Sequence, residues 1–219
     1  MAGIADSMAL GVAPDRAQAL CVFVHGRTQT PEDMHAAVIR HLTTPDVAYL
    51  LPRANGASWY AARAIDPLSD TARHDLAQSM ADVAAAIAAF QAAAPGIPLV
   101  LAGFSQGACL SLELAFSGLA AVRAVVAFTG CRVGSATDDR PCALPPGLPV
   151  YLSAGQDDPW IPLPAFSEAV VALGQSGAVL RADIFPARPH EVSPAEITLL
   201  DGVLHDLANR REPGMAAAR

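Results

Sequence analysis

Short, continuous apolar stretches recur along the chain at 20–24, 47–51, 98–102, 122–128, 149–153 and 178–184. They do not alternate cleanly between apolar and polar, so they read as strands of a parallel sheet buried on both faces. Between them the apolar positions switch to helical spacing. Leu76, Met80, Val83, Ile87 and Phe90 form one stripe, and Ile197, Leu200, Val203, Leu204 and Leu207 form another near the C-terminus. Both patterns predict amphipathic helices with a single packing face. Pro31-Glu32-Asp33 suits a helix first turn, and Ser193-Pro194 ahead of Ala195 and Glu196 reads as an N-cap with proline at N1. Strand and helix in alternation predict an α/β fold, a mostly parallel central sheet flanked by helices.

Two segments break this rhythm. Residues 53–70 and 132–147 are rich in Gly, Pro, Asp and Ser, and connections of that length are usually functional or mobile. The first contains Trp59-Tyr60 and is the better candidate for function; the second reads equally well as a surface insertion. Residues 211–219 look like a flexible tail, which leaves one domain over 1–210 with no room for a large cap domain. At 219 residues the chain is long enough to bury a full core without disulfides or metals.

Composition narrows the classes further. Hydrophobic residues make up 53% of the chain and the mean hydropathy is +0.34. Much of this is alanine, however, and no apolar stretch reaches the roughly 18 residues of a membrane span. Residues 1–19 lack a basic start before a continuous apolar segment and are interrupted by Asp6, Asp15 and Arg16, so a cytoplasmic location is the default expectation. A net charge of −7 argues against a phosphate-binding surface and against nucleic acid as a partner. Cys21, Cys109, Cys131 and Cys142 show no metal-ligand spacing and lie mostly in apolar runs; they read as reduced, buried thiols.

The most chemical motif is Gly103-Phe104-Ser105-Gln106-Gly107. A G-x-S-x-G pattern arises by chance in about one chain in ten of this length on average residue frequencies, so its weight comes from its place between an apolar strand and a predicted helix. There Ser105 is the candidate nucleophile, set on a sharp turn that only flanking glycines permit. Ligands meet the carboxyl ends of the strands in an open parallel sheet, and two more candidates obey that rule. Asp157 and Asp158 follow the strand at 149–153, and His190 follows the strand at 178–184. Asp158 is preferred because Pro159 biases it towards an extended conformation. His190 lies in a proline-punctuated loop, whereas His205 falls within the terminal helix; His190 is the candidate general base.

Acyl-transfer chemistry also needs backbone donors for an oxyanion, each contributing about 3 kcal/mol at the transition state. The N–H groups of Gln106, directly after the nucleophile, and of Arg27, after His25-Gly26 at the end of an early strand, are the candidates. Trp59, Tyr60, Phe104 and Trp160 are candidates to line an apolar acyl pocket. Arg27, Arg53 and Arg63 are weighed as readers of an acidic substrate group against a role as solvated surface residues.

Taken in order, Val24-His25-Gly26-Arg27, the loop 53–60, the Ser105 pentapeptide, the run 155–162 with its G-x-x-D-P-x-I-P spacing, and His190 make the chain resemble the phospholipase/carboxylesterase family of α/β-hydrolases, which includes acyl-protein thioesterase-like esterases. The resemblance covers most of the chain. It implies a Ser105, Asp158 and His190 triad, with Arg27 and Gln106 as oxyanion donors. It also implies hydrolysis of carboxylic esters or thioesters without a metal or organic cofactor. The partner implied is a small-molecule ester; a homodimer is left open. Where members often carry glycine this chain has Thr28 and Ala187-Arg188-Pro189, which predicts a stiffer or differently shaped oxyanion loop. The alternatives on the same fold are a thioesterase, a dienelactone-hydrolase-like enzyme, whose relatives generally carry cysteine in place of Ser105, and a non-catalytic binding protein.

Overall fold

A computed structural model describes residues 7–215. In chain order its strands are β1 (Met8–Gly11), β2 (Ala19–Val24), β3 (Val47–Leu51), β4 (Leu99–Phe104), β5 (Ala124–Phe128), β6 (Pro149–Gly155) and β7 (Val179–Phe185). They lie side by side as β1-β3-β2-β4-β5-β6-β7. Only β1 runs antiparallel to its neighbour, β3. The helices are α1 (Pro31–Ala37), α2 (Asp70–Ala92), α3 (Gln106–Ser117), α4 (Leu163–Gln175) and α5 (Pro194–Ala208).

Helices on both faces explain the unbroken apolar runs. Along β2, Leu20, Val22 and Val24 face one cluster with the α2 stripe and α3, while Cys21 and Phe23 face another with Met34 of α1 and the α5 stripe. A third cluster packs α3 and α4 against β5 and β6. Each fully buried Leu, Val or Phe contributes about 1.5–3 kcal/mol, and a strand that spends both faces this way has no room for polar positions. The two helix starts read from sequence are both capping boxes: Thr30 with Asp33 opens α1, and Ser193 with Glu196 opens α5.

The connection between β5 and β6 is a parallel crossover that holds no helix, although parallel neighbours are usually joined through one. It is tied down by its own polar groups. Asp138 accepts hydrogen bonds from the N–H groups of Ser135, at 2.7 Å, and Leu68, at 3.1 Å, which links it to the β3–α2 connection. These contacts, led by those from Ser135, hold the Asp138 carboxyl below the usual carboxylate range.

Of the four cysteines, Cys21, Cys109 and Cys131 are buried free thiols, and burial pushes Cys21 up to about 12. Cys142 departs from the expectation: it sits in the β5–β6 connection and is exposed. Residues 211–215 of the expected tail hold no helix or strand, but Gly214 donates to the Asp206 carboxylate at 3.0 Å and Met215 is buried in the α5 cluster. The remainder of that tail, residues 216–219, lies outside the described residues. No described helix is long and apolar enough to cross a membrane.

Candidate active site

Strand β4 runs directly into Ser105, which sits at φ 54° and ψ −119° before α3 begins. Such backbone costs a non-glycine residue about 1–3 kcal/mol and persists only where its surroundings over-determine it. Here the Ser105 N–H donates to the Phe128 carbonyl at 2.9 Å, and its own carbonyl accepts from Cys109 at 3.0 Å. The flanking glycines are steric necessities. A Cβ on Gly103 would stand 2.5 Å from the Gly107 oxygen, and one on Gly107 would stand 2.1 Å from the Val24 oxygen. The end of β2, the end of β4 and the start of α3 therefore pass too close for any other residue.

His190 and Asp158 meet Ser105 from the ends of β7 and β6. His190 Nε2 is 2.9 Å from Ser105 Oγ, and His190 Nδ1 is 2.6 Å from Asp158 Oδ2. Because a carboxylate only accepts, Nδ1 carries the proton and Nε2 is free to accept from the serine hydroxyl. The second oxygen of Asp158 accepts from the N–H groups of Trp160, at 2.8 Å, and Ile161, at 2.9 Å. Its neighbour Asp157 is exposed to solvent, so the two adjacent acids face opposite ways. Phe104 packs against the His190 ring with centroids 5.0 Å apart.

Gly26 faces the serine: a Cβ there would stand 3.3 Å from Ser105 Cβ and 2.4 Å from Gln29 Oε1. The Gln29 side chain accepts from the Gly26 N–H at 3.1 Å, which fixes the turn that presents Arg27. Among the described residues the Arg27 N–H has no acceptor. Gln106 opens α3, so its N–H has no intrahelical partner. Both residues also work through their side chains, a role sequence reasoning missed. The Arg27 guanidinium donates to the carbonyls of Tyr60, Ala61 and Ala62. The Gln106 amide donates to Tyr60 O at 2.7 Å and accepts from Trp59 N at 3.0 Å. Together they clamp the β3–α2 connection over the site.

Trp59, expected in the acyl pocket, is instead part of that clamp. Its indole N–H donates to the His25 carbonyl at 2.8 Å and its ring packs at a tilt against His25, with centroids 4.8 Å apart. His25 itself is buried, with Nε2 accepting from Ala54 N at 3.1 Å; burial lowers its pKa, as befits a neutral structural imidazole. Tyr60, Phe104 and Trp160 do line the cavity at Ser105, along with Arg27, Gln29, Arg63 and His190. That cavity measures about 520 Å³. Trp160 is largely exposed and forms part of its rim, while Arg53 lies off the lining, paired with Glu32 at 2.6 Å.

Two non-glycine residues of the loops beside the site hold left-handed backbone. Thr28 sits at φ 59° and Ala187 at φ 52°. Thr28 is held by N–H donation to Ala57 O at 2.7 Å. The His190 segment is held from beneath by Arg188, which the sequence did not single out. Its guanidinium donates to both Glu196 oxygens, at 2.9 and 2.8 Å, to Thr129 Oγ1 at 2.7 Å and to the Glu191 carbonyl at 2.6 Å. Glu196 also accepts from Ser153 of β6 and from Ser193. One buried network thus joins the His190 segment to the ends of β5 and β6 and the start of α5.

The sheet order and the turn at Ser105 define an α/β-hydrolase fold. The sequence model of the phospholipase/carboxylesterase family matches residues 11–205, and this chain belongs to that family. Among solved structures, a phospholipase/carboxylesterase from Dyadobacter fermentans is similar at TM-score 0.81 and 29% identity, covering 93% of this chain and 96% of that one. Zea mays acyl-protein thioesterase 2 is similar at TM-score 0.75 and 17% identity, over 92% and 98% of the two chains. The Bacillus cereus carboxylesterase gives 0.71 and 16%, over 92% and 93%. At those two identities the likeness speaks for the fold alone. No curated protein sequence matches the chain.

Proposed function

We propose that this protein is a serine carboxylesterase acting on short to medium acyl or small aromatic esters through a covalent acyl-enzyme. The observation that carries this reading is the hydrogen-bonded line Asp158–His190–Ser105, with contacts of 2.6 and 2.9 Å. Ser105 Oγ attacks the ester carbonyl while His190 Nε2 takes its proton, and Asp158 orients the imidazole and stabilises its charged form. The oxyanion is received by the N–H groups of Arg27 and Gln106. His190 then returns the proton to the leaving alcohol, and water, activated by the same imidazole, releases the acid.

The open cavity of about 520 Å³ supports small esters, since among the described residues no separate domain covers it. A fluorophosphonate probe tests the chemistry: the wild-type protein is expected to label and Ser105→Ala not to, and an unlabelled wild type would refute the hydrolase reading. Profiling p-nitrophenyl esters from acetate to long chains tests the substrate range. Long-chain esters turned over much faster than acetate or butyrate would refute the size preference.

A further inference from the structure

We infer that the esters this site takes carry a negative charge, read by Arg63 at the cavity rim. The inference rests on the esterase reading above and adds the substrate's charge class to it. The chain carries a net −7, yet the charged residues lining the cavity are Arg27 and Arg63, with His190 at the centre and no aspartate or glutamate among them. Acidic proteins generally repel anionic substrates, so a cation-lined opening on such a surface marks where an anion is favoured.

The two arginines differ in what they have left to give. Arg27 donates to the carbonyls of residues 60–62, which immediately precede Arg63. Its fork is engaged with backbone, and its effect is to fix the segment from which Arg63 extends. The backbone N–H of Arg63 is held at 3.1 Å by Asp66, the nearest acid in sequence. The Arg63 guanidinium, by contrast, is exposed and has no acceptor among the described residues. A planar five-donor fork on an anchored backbone, opening onto the cavity of the nucleophile, suits a carboxylate held bidentately. The alternative reader, Arg53, is already neutralised by Glu32 and lies off the lining.

The test compares charged and neutral esters of matched size. On the acyl side, the p-nitrophenyl half-ester of succinic acid is set against p-nitrophenyl butyrate; on the alcohol side, 4-acetoxybenzoate is set against phenyl acetate. In the wild type the charged member of at least one pair is expected to have the higher kcat/KM, by about tenfold, the range of a hydrogen bond to a charged group. Arg63→Gln is expected to abolish that ratio and Arg63→Glu to invert it, and added salt should weaken it in the wild type. Using ratios cancels any general loss of activity in a variant. If the wild type labels with fluorophosphonate and hydrolyses the neutral esters, but both ratios are the same in wild type and Arg63→Gln, the charge inference fails while the esterase reading stands. An unlabelled wild type overturns both.

Discussion

Two arginine–glutamate pairs are buried in this protein to the same degree, and they hold very different things. Arg188 and Glu196 are 5% and 0% exposed, and Arg132 and Glu113 are 5% and 1% exposed. Arg132 meets Glu113 fork to fork, at 2.7 and 3.0 Å, and lies over the Phe116 ring. That pair fastens the start of the β5–β6 connection to the middle of α3, behind the site. The Arg188 pair carries the segment on which His190 stands. Equal chemistry should therefore give equal losses of stability but unequal losses of activity, and that inequality separates a scaffold contact from one that positions a proposed catalytic group.

The largest effect is expected from Arg188→Met. Removing the guanidinium frees the 186–192 segment and leaves Glu196 buried without its cation. A misplacement of the proposed base by about 1 Å costs on the order of 100-fold in rate, so kcat on p-nitrophenyl butyrate should fall by about that factor while KM changes less than threefold. Counting sites with fluorophosphonate over a long incubation corrects for unfolded protein. A variant that keeps its kcat per labelled site would show that the network merely stabilises.

Arg132→Met is the matching control. Breaking a buried pair by removing one partner costs about 3–5 kcal/mol, seen as a lower denaturant midpoint, while kcat per folded molecule should stay within about threefold of wild type. A comparable kcat loss here would erase the distinction between the two regions.

This division was hidden from the sequence for a physical reason. Six strands, two helix stripes, both capped helix starts and the turn at Ser105 were legible because periodicity and local backbone preference encode them directly. Charged residues default to the surface, and nothing local to Arg188 announces that Glu196 and Thr129 converge on it from distant parts of the chain, with Ser153 reaching Glu196 from β6. Trp59 misled in the same way: an aromatic in a loop suggested a pocket wall, and only the fold reveals the His25 carbonyl waiting for its indole. Strand β1 was missed because it is four residues long and alternates between half-buried and exposed positions, too short a pattern to rise above its surroundings. Ser105, Asp158 and His190 could be picked out together because each follows a recognisable strand.

The smallest effect sharpens the comparison through backbone rather than charge. Each region has a left-handed residue near its arginine, but the Arg132 side uses Gly134, at φ 91°, and the His190 side uses Ala187, at φ 52°. An L-residue pays about 1–2 kcal/mol in that conformation, and glycine pays about 0.5–1 kcal/mol more than alanine in lost unfolded-state freedom. Ala187 is exposed, so its methyl brings no packing to offset the strain. The first magnitude wins: Ala187→Gly should stabilise the protein by about 0.5–1 kcal/mol, raising Tm by roughly 2 °C. Gly134→Ala should do the reverse, since a Cβ there would also stand 2.9 Å from Leu68. If the Arg188 network is what positions His190, Ala187→Gly should lower kcat by less than threefold, because the bonds to Glu196 and Thr129 remain. A loss approaching that of Arg188→Met would instead place the control of His190 in the stiffness of the preceding backbone.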